Sequence, residues 1–313
     1  MRTFTEYLTE RFVKDAGNTA DMDVRAKIGF LEAWVSIVSN TLLAALKIVL
    51  GLWLNSISLL ADAAHTASDV ITSVVVLVGF RAARLPADEE HPYGHGRVET
   101  ITTLIIAILL AFVGFEFAKG SVQRLITGAA VRGSFAVAGI MAAGGLFKEW
   151  LARFSVALGR KIASPVLIAD AWHHRSDAIA SVMVAVAIVA SAYGYSKVDA
   201  VFGLIVSGLI LYTGWELGRG ACNELIGRKP DPATVERISR LAAGITGVEG
   251  VHKIDLHDYG GGNKIVSLHI QVDECLPVRK AHNVAAQVEC SLRENMGFET
   301  TVHVEPAETD GPE

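Results

Sequence analysis

The chain has 313 residues, of which 51% are hydrophobic and 19% charged, and its mean hydropathy is +0.39. That is too apolar for an ordinary soluble protein and reads as a membrane protein. The net charge of −5 is modest and the acidic residues gather after position 230, which argues against a nucleic-acid partner.

Residues 1–28 mix acids and bases without an uninterrupted apolar core, unlike a cleavable signal peptide. Phe4, Tyr7, Leu8 and Phe12 fall at helical spacing, which fits a short amphipathic helix on a membrane or partner, or else a solvated tail. Six apolar stretches follow, at about 30–53, 57–84, 99–118, 134–157, 167–194 and 198–217, each near the ~20 residues a spanning helix needs. Lys47 and the Lys148/Glu149 pair interrupt two of them, by snorkelling or by facing the bundle.

Lys and Arg distribute unevenly between the connections. Arg2, Arg11, Lys14, Arg25, Lys27, Arg81, Arg84, Arg97, Arg153, Arg160 and Lys161 lie on one side; Lys119, Arg124, Arg132 and Lys197 lie on the other. The positive-inside rule then puts both termini in the cytoplasm.

The residues from Leu59 to Val76 recur from Leu167 to Val184 with 11 of 18 positions identical, and each copy carries Asp-x-x-His-x-x-x-Asp. With six spans, the second and fifth run in opposite directions, so spans one to three form an inverted repeat of spans four to six. Such repeats place a transport site near the bilayer midplane where the halves meet.

Residues four apart on a helix share a face, so His65 with Asp69 and His173 with Asp177 are two convergent pairs. Two imidazoles and two carboxylates make a four-ligand set of the kind zinc accepts. Metal binding needs neutral imidazole and ionised carboxylate, so protons compete for the site and proton antiport follows. Asp62 and Asp170 read as groups that support the ligands or hold helices together. His174 is rotated about 100° from His173 and reads as outside the site.

After Arg228, the run Lys229 to Pro232 breaks the pattern, and a soluble domain follows: helix Ala233–Ala243, strand Val251–Tyr259, turn Gly260–Asn263, strand Lys264–Asp273, helix Val278–Asn295 and strand Thr300–Glu305. So small a domain has a limited core, which dimerisation or metal would supplement. Cys222, Cys275 and Cys290 show no pairing or Cys-x-x-Cys spacing, so neither a disulfide framework nor a thiolate zinc site is expected. The expected division is a cytoplasmic segment 1–28, a membrane domain 29–218, a linker 219–232, a cytoplasmic domain 233–306 and a disordered tail 307–313.

The paired motifs, the six stretches, the PADEEHPYGHGR loop from Pro86 to Arg97 and the αββαβ domain together resemble the cation diffusion facilitator family of divalent-metal transporters, from about residue 30 to 306. The resemblance implies a membrane all-α six-helix bundle of inverted three-helix repeats plus a cytoplasmic metallochaperone-like αββαβ domain. It also implies an obligate homodimer in the inner membrane, working as a metal/proton antiporter by alternating access. The all-His/Asp site resembles the zinc-preferring kind, although iron, cobalt, cadmium or manganese can fill similar sites.

By the same resemblance, Asp88, His91 and His95 form a second metal position in the loop, with a solvated cluster as the alternative. His252, His269, His282, His303 and Glu305 match a regulatory binuclear zinc centre between two cytoplasmic domains, and Glu305 stands where aspartate is frequent. The spacing of His252 to His269 is one residue longer than in the pattern it resembles, an insertion placed at Gly260–Gly262, and His257 has no assigned role. Arg97 matches a basic residue that locks the membrane dimer through a salt bridge, but Leu225, Ile226 and Gly227 depart from the acidic pattern expected near Glu224.

Competing readings are a membrane-anchored metal sensor or scaffold without turnover, and an intramembrane metalloprotease. The second needs an open metal position and a His-Glu-x-x-His motif, which the chain lacks.

Overall fold

The structure is a computed structural model that describes residues 4–19, 21–53, 57–127, 134–193, 196–260 and 262–307. Arg2, Arg132, Gly261 and the tail 308–313, which entered the sequence-based expectations, lie outside the described residues. The chain divides into two units: one contains residues 1–85 and 98–222, and the other contains 86–97 and 223–313.

The first unit is helical. After α1 (Phe4–Phe12) come six long helices, α2 (Met22–Trp53), α3 (Ile57–Ala83), α4 (Val98–Thr127), α5 (Phe135–Lys161), α6 (Pro165–Ala192) and α7 (Ser196–Ile226). Those from α2 to α5 contain windows of mean hydropathy 1.3 to 2.3, long and apolar enough to cross a membrane. Because lipid is as apolar as the side chains, the apolar residues divide between an inside and an outside. Ile28, Val76, Phe80, Ile106, Leu110, Leu151, Phe154, Leu158 and Leu167 pack together at 4% exposure or less, while Leu42, Leu52, Ile108, Phe112, Leu209 and Trp215 point outward.

The central helix is α6, which packs on α3, α4 and α5. Its small buried residues Ala169, Ala171, Ala178, Ala180, Ala185 and Ala187 let neighbours approach closely. On the facing side, a Cβ at Gly145 of α5 would lie 2.9 Å from the carbonyl oxygen of Ala178, so glycine sets that approach. On the first helix Leu8 packs on the core that holds Val13, Ile28 and Leu158, while Tyr7 and Phe12 are exposed.

The last helix of this layer, α7, runs to Ile226, past the expected end of the membrane domain at 218. The connection to the soluble domain is thus confined to 227–231. Leu225 and Ile226 carry no helix-breaking signal, which explains why the helix continues.

The second unit is built from α8 (Pro232–Ala243), β1 (Gly250–Asp258), β2 (Lys264–Val272), α9 (Val278–Met296) and β3 (Glu299–Pro306), the αββαβ order read from the sequence. The sheet order is β1-β2-β3, with β1 antiparallel and β3 parallel to β2. Alternation along β2 buries Val266, Leu268, Ile270 and Val272 beneath Ile238, Ala242, Val288 and Leu292 of α8 and α9. The opposite face carries Ser267, His269 and Gln271. α9 ends on Gly297 in the left-handed region (φ 71°).

The segment from Pro86 to Arg97 belongs to this second unit. Tyr93 stacks on Tyr259 at 4.4 Å, its carbonyl accepts a hydrogen bond from Asn263 Nδ2 at 2.7 Å, and Arg97 donates to the Asp258 carbonyl at 3.2 Å while lying over the Tyr259 ring. A Cβ at Gly96 would stand 2.4 Å from the carbonyl carbon of Gly260, itself at φ +79°, so both glycines are required for this contact. Arg97, expected to lock a dimer, is held here by backbone and ring at the end of β1.

Candidate metal centre

Helical periodicity does what the spacing predicts: His65 and Asp69 on α3 face His173 and Asp177 on α6. His65 Nε2 lies 4.0 Å from Asp69 Oδ1 and 3.6 Å from Asp177 Oδ1, and His173 Nε2 lies 3.6 Å from Asp69 Oδ1 and 3.7 Å from Asp177 Oδ2. One donor atom each from His65, Asp69 and Asp177 falls within 4.8 Å of the others. These three thus surround one point, and His173 Nε2 adjoins both of its carboxylates.

Sequence reasoning left Lys148 with two alternative roles, and the structure chooses between them. The lysine is 1% exposed and faces the bundle, and its Nζ lies 2.6 Å from Asp69 Oδ2 and 3.0 Å from Asp177 Oδ2. Two carboxylates in a dry interior repel and lose their hydration, and the ammonium compensates both. The signal available in the sequence was a lysine inside an apolar stretch; which face it occupies depends on tertiary packing. Glu149, its neighbour, instead pairs with Arg153 and Arg175.

Asp62, expected to support the ligands, is the partner of Lys47, whose Nζ also donates to Thr66 Oγ1 at 2.9 Å. Asp170 pairs with His174 at 3.1 Å. Asp62 therefore serves an ion pair with Lys47, while Asp170 sits beside the His174 imidazole. His174 Nε2 also lies 2.9 Å from Ser36 Oγ.

His65 is the exposed member of the four side chains. Asp69, His173 and Asp177 are 3–4% exposed at the side chain, but His65 is 41% exposed. A cleft of about 410 Å³ reaches it, lined by Phe112, Glu116, Arg124, Met183 and Gly203 among others. These residues lie in the later parts of α4 and α6 and near the start of α7. At the opposite end, where α2, α4 and α6 begin, Arg25 bonds to Glu99 and to the Ile162 carbonyl, and Ser164 donates to Glu99. These polar contacts link α2, α4 and the α5–α6 connection at that end.

The loop residues also come together. Asp88 Oδ1 accepts from the backbone N–H groups of Glu90 at 3.0 Å and His91 at 2.6 Å. His91 Nδ1 and His95 Nε2 each lie 3.4 Å from the carboxylate. The Nδ1 of His95 is 3.1 Å from the Pro86 carbonyl; donation there fixes the tautomer and leaves Nε2 free for a ligand. The hydrogen bond from the His91 backbone N–H holds the Asp88 carboxyl below its usual range, which keeps it ionised.

In the soluble domain, strand register places His252 opposite His269 and His269 beside His303, one histidine on each strand in a single row. Glu305, two residues on from His303, joins the row: His269 Nδ1 is 2.6 Å from Oε1 and His252 Nε2 is 2.9 Å from Oε2. The His269 hydrogen bond lowers the Glu305 carboxyl. His303 Nε2 is 3.8 Å away. The pairing of β1 with β2 shifts register between His252 and Asp255. His282 sits exposed on α9, outside this group, and His257 is exposed on β1.

Comparison with known proteins agrees in extent with both units. A family described as the cation efflux transmembrane domain matches residues 33–226, and one described as the cation efflux protein cytoplasmic domain matches residues 230–307. An uncharacterized transporter of Methanocaldococcus jannaschii is 36% identical over 272 residues, 87% of this chain and 96% of that protein. Metal tolerance protein C1 of Arabidopsis thaliana is 32% identical over 85% of this chain and 60% of its own length. The manganese efflux system protein MneS of Bacillus subtilis is 29% identical over 90% of this chain and 97% of its own.

Proposed function

The chain belongs to the cation efflux family, the cation diffusion facilitators, and is a metal-cation efflux transporter of the membrane; we propose that its cargo is a divalent transition metal, zinc first, exported from the cytoplasm in exchange for protons. The observation that carries this reading is the convergence of His65, Asp69, His173 and Asp177 from the two repeat copies onto one buried point. The set is neutral when two ionised carboxylates hold a divalent ion, and it binds only when the imidazoles are unprotonated, so metal and protons exclude one another.

Three features support alternating access. The cleft to His65 opens at one end of the helix layer, the other end is linked by Arg25 and Glu99, and the ligands come from two helices that can separate. With both termini cytoplasmic, as the charge asymmetry indicates, the open end is the outer one and the conformation is outward-facing. Lys148 has a definite part in the cycle. Its ammonium holds Asp69 and Asp177 when the metal has left, and an arriving metal displaces it.

The soluble domain is read as a regulatory zinc centre in a homodimer of the inner membrane. His252, His269, His303 and Glu305 lie together on the three strands, and His282 lies on α9 outside that group. The contact of Tyr93, Gly96 and Arg97 with the β1–β2 turn ties the Asp88/His91/His95 loop to that domain, so metal at either place biases the same segment. A relative named for manganese efflux makes cargo the first matter to measure.

The test is reconstitution into proteoliposomes with a metal-sensitive dye, scanning zinc, manganese, iron, cobalt and cadmium with and without an imposed pH gradient. Uptake driven by an opposing proton gradient, with zinc preferred, is expected. Flux indifferent to the pH gradient overturns antiport, and binding without flux favours a sensor or scaffold.

A further inference from the structure

A second cluster of ionisable side chains lies inside the helical unit, beside the transport site and unused by it. Glu32 on α2 and Asp170 and His174 on α6 are all 0% exposed. One donor atom from each falls within 4.8 Å of the others, a span that a divalent ion with bonds of about 2.0–2.2 Å closes through small side-chain shifts.

The hydrogen bonding around the three is incomplete. Glu32 accepts from Ser155 through one oxygen, and His174 Nε2 lies 2.9 Å from Ser36 Oγ and 3.1 Å from Asp170 Oδ2. Beyond these contacts, Glu32 Oε2, Asp170 Oδ1 and His174 Nδ1 have no hydrogen-bond partner among the described residues. Buried polar atoms without partners are rare in native proteins, and buried carboxylates without compensation are costly. An Asp–His pair kept only to hold helices together gives no reason for a second carboxylate beside it. Two carboxylates and one neutral imidazole are neutralised by one divalent cation, and the donor set of two oxygens and one nitrogen suits first-row metals.

We propose that Glu32, Asp170 and His174 form a second intramembrane divalent-metal site, next to the transport site. The His173 and His174 rings are 5.8 Å apart, so the two sites are neighbours. Asp170 lies nearer the start of α6 than the transport ligands do, and Glu32 lies in the first third of α2. The site therefore stands between the end linked by Arg25 and Glu99 and the transport point, as a holding position on the way in.

The inference rests on the reading of this unit as a metal carrier, and the experiment separates the two. Zinc is the probe, because nitrogen and oxygen sites bind it more tightly than manganese whichever is the cargo. Zinc bound per chain at saturation is counted by equilibrium dialysis of the full-length protein in detergent, for the parent, Glu32→Gln, Asp177→Asn and the double variant, each checked for monodisperse elution.

Each single variant is expected to lose about one zinc per chain and the double variant about two. An unchanged count in Glu32→Gln overturns the proposal, as does a double variant that loses no more than Asp177→Asn alone, since the residues then serve one ion. A count unchanged only in Asp177→Asn overturns the transport-site assignment and leaves this one standing. If Glu32→Gln does not elute as a folded species, His174→Gln is measured in its place, with the same expected loss and the same overturning result.

Discussion

Replacing Lys148 by methionine tests whether its ammonium holds the place of the metal. The side chains of Lys148, Asp69 and Asp177 are 2%, 3% and 4% exposed, so the contacts at 2.6 and 3.0 Å receive little solvent screening. Removing one partner of such a buried pair costs about 3–5 kcal/mol, because the remaining charge is left uncompensated. In the metal-free protein Lys148→Met should therefore be destabilised by roughly that amount. With zinc bound, the ion neutralises the same carboxylates and most of the loss disappears.

The same difference appears in binding. Zinc entering the parent must displace the ammonium, whereas zinc entering the variant relieves a penalty, so affinity should rise by up to about two to three and a half decades at 1.4 kcal/mol per decade. Thermal melting in detergent, in chelator and in saturating zinc, reads both effects, with Lys148→Arg as the charge-retaining control. Equal destabilisation with and without zinc would refute the reasoning and make Lys148 a packing residue.

Three further outcomes follow from particular contacts. Gly96→Ala places a Cβ 2.4 Å from the carbonyl carbon of Gly260, so the loop should leave the sheet edge and tryptic cleavage after Arg97 should accelerate; unchanged cleavage would contradict the docking. Cys290 donates to Glu294 and its thiol is raised by that carboxylate, so at a given pH it holds less thiolate. It should alkylate more slowly than in the Glu294→Gln variant, as read by mass spectrometry. Glu305 titrates below its ordinary range because His269 bonds to it, so this contribution is complete above the unfolded value and is lost as pH falls through the lowered one. His269→Ala should move the Glu305 carboxyl titration upward in an NMR experiment with labelled glutamate.

Much of this architecture is legible in the sequence because it rests on local periodicity. Period-2 alternation from Lys264 to Val272 gives β2, and the four-residue spacing of His65 and Asp69 gives their shared face. Pairing across the molecule is less legible. The stack of Tyr93 on Tyr259 joins residues far apart in the chain, and neither residue type signals it. Lys148 shows the same limit: its charge marks it as unusual, but its direction depends on how α5 packs against α6. Glu32 reads as one acid at the edge of an apolar stretch until α2 brings it to Asp170 and His174.

The most direct test of the central claim is zinc flux into proteoliposomes carrying Asp69→Ala, with zinc binding by the soluble histidine row followed in the same preparation. The account predicts flux at the level of protein-free vesicles while the soluble centre still titrates. Flux retained in a folded Asp69→Ala protein would contradict it.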